Sequence, residues 1–294
     1  MENTTHTADI ANLLYHIDCF YPIIFLVHYL LFQLVIQMKF CDKVKNERYY
    51  QKVILYNLLN FYEIVFTVLI TACCLPDVVL FLFKNELLLR TRTVSIAYLS
   101  GIVFWTLYAY EMVLNYKDPL NQIRKKQIPQ LTIHHITALI RITIANICLR
   151  FSSSDDFVVK CLICYVYSIG MYHATLDYIM HIPLLLWRLD LFYKVRSVFF
   201  WFSYWPLLVI RCFIYAAIIT IYICFRVRQY HLSTFAYVWI VSHIILLVIQ
   251  FIVQVIGSLL MKKIHIRDKD QHRLKTDAIE CDDWSRTNLL EPLP

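Results

Sequence analysis

Glycine and charge are both scarce in this chain of 294 residues. It has three glycines and 17% charged residues, whereas a typical soluble domain has about 7% glycine and about 25% charge. The three glycines, Gly101, Gly170 and Gly257, are too far apart for a G-x-G-x-x-G loop, a Walker A loop or a G-x-x-x-G helix-dimer face. No G-x-S-x-G sequence is present either. Nucleotide binding on glycine-rich phosphate loops and the nucleophile elbow are therefore excluded.

Hydrophobic runs dominate the rest of the sequence, with 60% hydrophobic residues and a mean hydropathy of +0.57. Seven runs reach the roughly 20 residues that cross a bilayer. They lack the alternation of barrel strands, and an unpaired peptide group in hydrocarbon is costly, so each run is predicted to be a helix. The predicted fold is an all-α, polytopic transmembrane bundle with spans at 17–38, 53–75, 94–114, 128–149, 157–183, 198–225 and 235–261.

The basic residues indicate the orientation of these spans. Nineteen of the 28 Lys and Arg residues fall on the same side as the C-terminus, and six fall on the opposite side. Because Lys and Arg concentrate in cytosolic loops, we expect a cytosolic C-terminus and a lumenal N-terminus, which carries the sequon Asn3-Thr4-Thr5. The net charge of +7 is then a topology signal, and nucleic-acid binding loses its support. Acidic and polar residues precede the first span, which favours a retained anchor over a cleaved signal peptide.

Three regions are expected along the chain. Residues 1–45 comprise the lumenal N-terminus, the first transmembrane helix and a basic loop, and residues 46–263 form the main transmembrane domain. Residues 264–294 form a cytosolic tail that changes from basic to acidic and is predicted to be disordered. We find no internal repeat and no soluble domain.

Ionisable side chains inside the spans are the main functional signal, because they are expensive in a membrane. His134 and His135 lie about 9 to 11 Å from the cytosolic end of the fourth span at ~1.5 Å per residue, and His173 lies at a matching depth in the fifth. The two spans are antiparallel and joined by a short loop, so they are expected to pack side by side. Asp177 follows His173 by four residues and therefore shares its helix face. These groups are predicted to form one cluster in the cytosolic half.

Three motifs in these spans carry a family resemblance. They are YAYE with QLTIHHIT (108–111 and 130–137), YHATLD (172–177) and RCFIY (211–215). Their order and spacing resemble the TLC-domain family, and in particular the ceramide synthases, over roughly residues 46–261. The resemblance implies six core helices around a cavity and N-acylation of a sphingoid base by a fatty acyl-CoA in the endoplasmic reticulum membrane, as part of sphingolipid metabolism. It implies no metal, no cofactor other than acyl-CoA as co-substrate, and a homo- or hetero-dimer as one assembly.

The same resemblance suggests a set of catalytic residues. His173 is expected to act as nucleophile or general base, since an unperturbed histidine titrates near neutral pH, and Asp177 is expected to orient its ring. His134 and His135 would position the thioester carbonyl or relay a proton.

Three further side chains are expected to bind substrate. They are Arg141, Arg211 and Tyr215. Arg211 and Tyr215 would stabilise developing negative charge or neutralise Asp177, and for Arg211 a purely structural ion pair is an equal alternative.

Other classes of protein remain open to different degrees. Ala174 replaces the acidic residue that follows the family's histidine, so a non-catalytic TLC-domain protein that regulates or senses membrane lipid composition is the main alternative. A fatty-acid elongase is disfavoured because Leu131 stands where its His-x-x-His-His box begins. The histidines are too dispersed for a di-iron desaturase, while a zinc site on the predicted catalytic group is a minority alternative. A seven-helix receptor would give no reason for such a cluster.

Overall fold

The computed structural model describes residues 23, 26, 27, 30, 47–116, 128–151, 157–228, 230 and 232–288. Every regular element from residue 47 onward in these ranges is an α-helix. The helices are α1 (Glu47–Cys73), α2 (Leu75–Lys84), α3 (Thr91–Tyr116), α4 (Ile128–Phe151), α5 (Phe157–Thr175), α6 (Tyr178–Arg188), α7 (Tyr193–Val227) and α8 (Thr234–Asn288). The predicted first span and the Asn3 sequon lie outside the described residues, apart from four positions in the span.

Five helical segments are long and apolar enough to cross a membrane. They are Asn57–Lys84, Thr91–Met112, Phe157–Trp187, Tyr193–Val227 and Thr234–Asp277. Each matches one of the predicted spans, and the shorter apolar helix Ile133–Leu149 falls within the fourth. The prediction of an all-helical, multi-pass membrane protein is confirmed at this level.

The exposed surface of the long helices is apolar. On α7 and α8 the exposed side chains include Val209, Phe213, Val238, Ile245 and Ile252. Such a continuous apolar surface is unusual for a soluble monomer and is what a hydrocarbon environment accommodates. Many polar and charged side chains are instead buried inside the bundle.

Helix α5 lies at the centre of the bundle. It is apolar around most of its circumference, and its residues from Val159 to Met171 are all buried. A helix that is apolar on all sides is most stable when other helices cover it. Helices α1, α3, α4 and α7 contact α5, and α8 closes the arc by packing on α4 and α7. The resemblance implied core helices around a central cavity, whereas the centre of the described bundle is a helix.

Polar contacts fasten each end of the bundle. At one end, Asp77 accepts a hydrogen bond of 2.5 Å from Thr93 and lies 3.3 Å from Arg90, which joins α2 to the start of α3. At the other end, Arg196 of α7 donates to both carboxylate oxygens of Asp268 on α8, at 3.0 and 2.9 Å. Arg196 and Asp268 are buried, so their attraction is weakly screened by water.

The C-terminal region differs from its prediction. Helix α8 continues through residues 264–288, where the sequence predicted disorder. The pair with Arg196 anchors this extension to α7, and Lys275 donates a 2.6 Å hydrogen bond to Asp190 beyond the end of α6. Hydrogen bonds from Lys275 and Arg196 lower the pKa of the Asp190 carboxyl, so this contact persists at neutral pH. Composition alone did not reveal that Asp268 and Lys275 have partners, because Arg196 and Asp190 precede them by more than 70 residues.

The glycines provide a matched test of the helix packing. A Cβ at residue 101 would overlap the hydroxyl of Tyr167 and lie 2.8 Å from its Cζ, whereas one at residue 257 would lie 3.8 Å from Met180 Cε. Gly101→Ala should therefore destabilise the protein by about 1–3 kcal/mol, as overpacking does. Gly257→Ala should be neutral or stabilise it by up to about 1 kcal/mol, because alanine favours the helix. Thermal unfolding of both variants in detergent measures this difference, and equal melting temperatures would contradict the packing described.

Candidate functional site

The helices bring the predicted site residues into one region of the interior. Helix α4 carries His134, His135 and Arg141, and α5 carries His173 near its C-terminus. Asp177 lies in the turn between α5 and α6, and α7 carries Arg211 and Tyr215. His135, His173, Asp177 and Arg211 are buried, while Arg141, His134 and Tyr215 are partly buried.

Asp177 is the centre of a buried charged group. The Asp177 carboxylate lies at the junction of α5 and α6. At this junction the Asp177 N–H donates to the carbonyl oxygen of Ala174, three residues earlier, at 3.1 Å. Arg211 Nη2 donates to Asp177 Oδ1, and His134 Nε2 lies 3.7 Å from Oδ2. Arg211 also directs Nη1 toward Met180 Sδ at 3.6 Å. Arg211 is therefore the counter-ion of Asp177 in this structure, and its part in substrate binding stays a prediction.

His173 has different partners from those predicted. Its Nε2 lies 2.9 Å from Gln254 Oε1 on α8 and 3.1 Å from the Tyr215 hydroxyl. Tyr215 in turn donates to Gln254 Oε1 at 2.8 Å. Among the described residues, no hydrogen bond joins His173 to Asp177, so Gln254 orients the ring where Asp177 was expected to do so. The helix is interrupted after Thr175, and the carboxylate of Asp177 turns to Arg211.

These contacts determine which nitrogen of His173 is basic. Gln254 Oε1 has two lone pairs, and it accepts from Tyr215 and from His173 Nε2–H. With the amide oxygen of Gln254 facing the ring, the proton of the neutral ring is on Nε2, and Nδ1 carries the lone pair. Nδ1 is buried and has no hydrogen-bond partner among the described residues. This nitrogen is the atom that can accept a proton from a ligand.

Two more carboxylate–histidine pairs flank this group. His135 Nε2 lies 3.0 Å from Glu111 Oε2, which links α4 to α3. His181 Nδ1 lies 3.0 Å from Glu63 Oε1, which links α6 to α1. The ring of Tyr108 packs beside the double histidine, with its centroid 4.8 Å from that of His135.

Several of these partners were not assigned a role from the sequence. Glu63 and His181 are ionisable residues within predicted spans, but nothing in one sequence shows that they meet. Glu111 belongs to the first motif, but it lies near the end of a predicted span. The sequence is equally consistent with a Glu111 side chain that points into water. Gln254 is neutral and was missed. The sequence feature that could have indicated Gln254 is its spacing of four residues from Gln250 within an apolar run. This spacing places both amides on one helix face.

A pocket lies beside the histidines, between α3, α4, α5 and α8. It holds about 560 Å³ of empty space, counted to its open mouth. Its polar lining comprises Tyr108, Arg141, Tyr167, Ser242, His243 and Gln250. Of the seven predicted site residues, Arg141 lines this pocket and the other six do not. Ala174, next to His173 in the chain, contributes to the wall.

The donor groups do not converge on a point that suits a metal. Among the described residues, no three His, Cys, Asp or Glu side chains are grouped so that they could hold a metal ion. The histidines pair separately with Glu111, Asp177, Glu63 and Gln254, which accounts for this. The zinc alternative has no geometric support in this part of the chain.

Comparisons with protein-family models, curated proteins and solved structures find no match to this chain.

The pairing of Asp177 with Arg211 can be tested by a double-mutant cycle. Asp177→Leu or Arg211→Met alone leaves one buried charge without its partner and should destabilise the protein by about 3–5 kcal/mol. The double variant should recover most of this loss, since two apolar side chains can replace a buried pair. Thermal unfolding in detergent measures the coupling.

The exposed pair Arg273 and Asp277, which are 3.9 Å apart, provides the control for this cycle. Asp277→Ala should change stability by about 0–1 kcal/mol. A double variant as unstable as the sum of its single variants would contradict the buried pair.

Proposed function

We propose that this chain is an intramembrane N-acyltransferase of the ceramide-synthase type, which joins a fatty acyl-CoA to a sphingoid base. The observation that carries the proposal is the buried lone pair on His173 Nδ1, whose ring is held from the other side by Gln254 and Tyr215. A general base needs such a basic nitrogen in a fixed orientation. The three sequence motifs support the same reaction, because His173, Asp177, Arg211 and Tyr215 belong to them.

The reaction joins an amine to a thioester. The nitrogen of the sphingoid base attacks the thioester carbonyl carbon, a C–N bond forms and the C–S bond breaks. His173 Nδ1 accepts the proton that the amine loses, and the coenzyme A thiolate takes this proton as it leaves. His134 and His135 position the carbonyl or relay the proton. The Tyr215 hydroxyl lies 3.1 Å from Nε2 and donates to Gln254, so it would stabilise a developing oxyanion only after its proton turns toward the substrate.

Two roles follow for the charged residues. Arg211 and Asp177 neutralise one another at the junction of α5, α6 and α7, and this fixes the helices that carry His173 and Tyr215. Arg211 therefore acts mainly as a positioning residue. The acyl-CoA would approach from the cytosolic side, where the basic loops attract its phosphates.

A second candidate function has an observation in its favour. The interior carboxylates pair with histidines or Arg211, and six of the seven predicted site residues do not line the described pocket. Interior charged side chains that pair with one another, beside a separate pocket, also suit a non-catalytic protein that senses or regulates membrane lipid composition.

An acyltransferase assay distinguishes the two candidates. Microsomes that contain the wild-type chain should form the amide from a sphingoid base and an acyl-CoA, and His173→Ala should lower the rate by about 100-fold or more, because the base is lost. His265→Ala is the matched control, since His265 is also buried and hydrogen-bonded, to Ser197 at 2.9 Å. It should retain the wild-type rate. Equal rates for His173→Ala and the wild type would overturn the role of His173, and no amide with any acyl chain length would favour the lipid sensor.

We further propose a location in the endoplasmic reticulum membrane, with a lumenal N-terminus and a cytosolic C-terminus. In sealed microsomes, protease should remove a tag fused after Pro294, because the distribution of Lys and Arg places this end outside the vesicle. An endoglycosidase-sensitive mass shift that Asn3→Gln abolishes would place the N-terminus in the lumen. A tag that is cleaved only after detergent is added would contradict this orientation.

A further inference from the structure

The charge of Arg141 is not balanced by a carboxylate. Its Nη1 donates to the amide oxygen of Gln250, and no ion pair of Arg141 occurs among the described residues. Three interior carboxylates have partners that can neutralise them, since Asp177 pairs with Arg211, Glu63 with His181 and Glu111 with His135. Arg141 Nε–H is buried and donates to no hydrogen-bond acceptor among the described residues. The guanidinium is thus held by one neutral amide.

The position of Arg141 makes this imbalance significant. An isolated cation in the hydrocarbon region is expensive, and intramembrane ionisable groups usually face a partner or a ligand. Arg141 lies in the wall of the pocket between α3, α4, α5 and α8. A guanidinium presents parallel N–H donors that match the oxygens of a carboxylate or phosphate. An anion in the pocket would therefore supply the missing charge.

Gly170 gives independent support for a position built around the guanidinium. This glycine lines the same pocket, and a Cβ there would lie 2.9 Å from Arg141 Nη2. A larger residue at position 170 would require the end of the Arg141 side chain to shift from its present position. In a chain with three glycines, one lies where it admits the arginine head group.

The remaining walls of the pocket define the rest of the ligand. They are largely apolar, and they include Ala138, Ile142, Ala145, Met171 and Leu246. The pocket is open on one side, so a chain can enter it from outside the bundle. Arg141 therefore lies in a pocket that also has uncharged hydrogen-bonding groups, such as Tyr108 and Gln250, and a largely apolar remainder. This lining suits an amphiphile with a single alkyl chain and a charged head.

We propose that this pocket binds a single-chain lipid with an anionic headgroup, a carboxylate or a phosphate monoester, whose oxygens pair with Arg141. This goes beyond the acyltransferase reaction. A neutral acyl chain alone would leave the arginine charge unpaired, so the pocket is a separate lipid site next to the His173 group. Gln250 and Gln254, one helical turn apart on α8, connect the two sites.

The proposal can be tested by equilibrium binding to the purified full-length chain in nanodiscs. The probes are palmitate and a palmitoyl lysophosphatidate, with hexadecanol as the neutral chain of equal length. Acetate and inorganic phosphate test whether the anion is sufficient without the chain. Both anionic lipids should bind at least about 10-fold more tightly than hexadecanol, since each charged group can form a paired hydrogen bond. The free anions should not displace them at equal concentration.

Variants assign this preference to the arginine. Arg141→Gln should abolish the preference for anionic lipids and leave the affinity for hexadecanol unchanged. Gly170→Ala keeps the arginine but displaces its head group, so it should reduce the preference at least about 3-fold without unfolding a helix that alanine favours. Arg226→Gln removes an exposed arginine at the end of α7 and should change neither the affinity nor the preference.

Equal affinity for palmitate and hexadecanol in the wild type, or an unchanged preference in both Arg141→Gln and Gly170→Ala, would overturn the proposal. Displacement by free phosphate or acetate alone would likewise overturn the lipid assignment.

The outcome is distinguishable from that of the acyltransferase proposal. His173→Ala should lose amide formation and keep the preference for anionic lipids. Loss of the lipid preference in His173→Ala would overturn the separation of the two sites, whatever its effect on amide formation.

Discussion

A charge inside a membrane bundle needs a partner, and the pairing of Asp177 with Arg211 is the contact on which the surrounding structure depends. The carboxylate lies where α5 gives way to α6, and the guanidinium comes from α7, so this pair fixes three helices relative to one another. The histidine of α4 that lies 3.7 Å from the same carboxylate extends the group to a fourth helix. Since Asp177, Glu63 and Glu111 each meet a cation or a histidine on another helix, electrostatic pairing helps to determine how the helices are rotated, which uniform apolar packing cannot do.

The sequence was sufficient for much of the helical layout. Long apolar runs predicted five of the observed spanning segments, because hydrocarbon leaves a single chain few options other than helix. Depth and spacing also predicted that the double histidine, His173 and Asp177 would lie in one region. Which partner each side chain takes could not be predicted, since it depends on the rotation of α8 and on the turn after Thr175. Gln254 and Glu63 therefore became visible as partners only in three dimensions. The helical extension after residue 263 was missed for a similar reason, because the Arg196 partner that stabilises it is distant in sequence.

The central position of α5 explains why the pocket lies to one side. Because α5 is apolar on all sides, other helices close against it, and space remains where α8 packs mainly on α4 and α7. One wall of this space is the face of α8 that carries Gln250, and the next turn of the same face carries the Gln254 that holds His173. The proposed reactive group and the proposed lipid site therefore share a single helix face, and a change in the rotation of α8 would affect both at once.

Helix α8 is also far longer than a membrane requires. Its 55 residues correspond to about 80 Å at ~1.5 Å per residue, against a hydrocarbon thickness of about 30 Å. The part beyond Met261 exceeds the length that spans the hydrocarbon, and it is tied to the bundle by Arg196 with Asp268 and by Lys275 with Asp190. The residues of α8 that follow these contacts extend away from the bundle and can act as a lever arm on the rest of the helix. A small sideways force on its far end would reach the glutamines inside the membrane as a tilt of their helix.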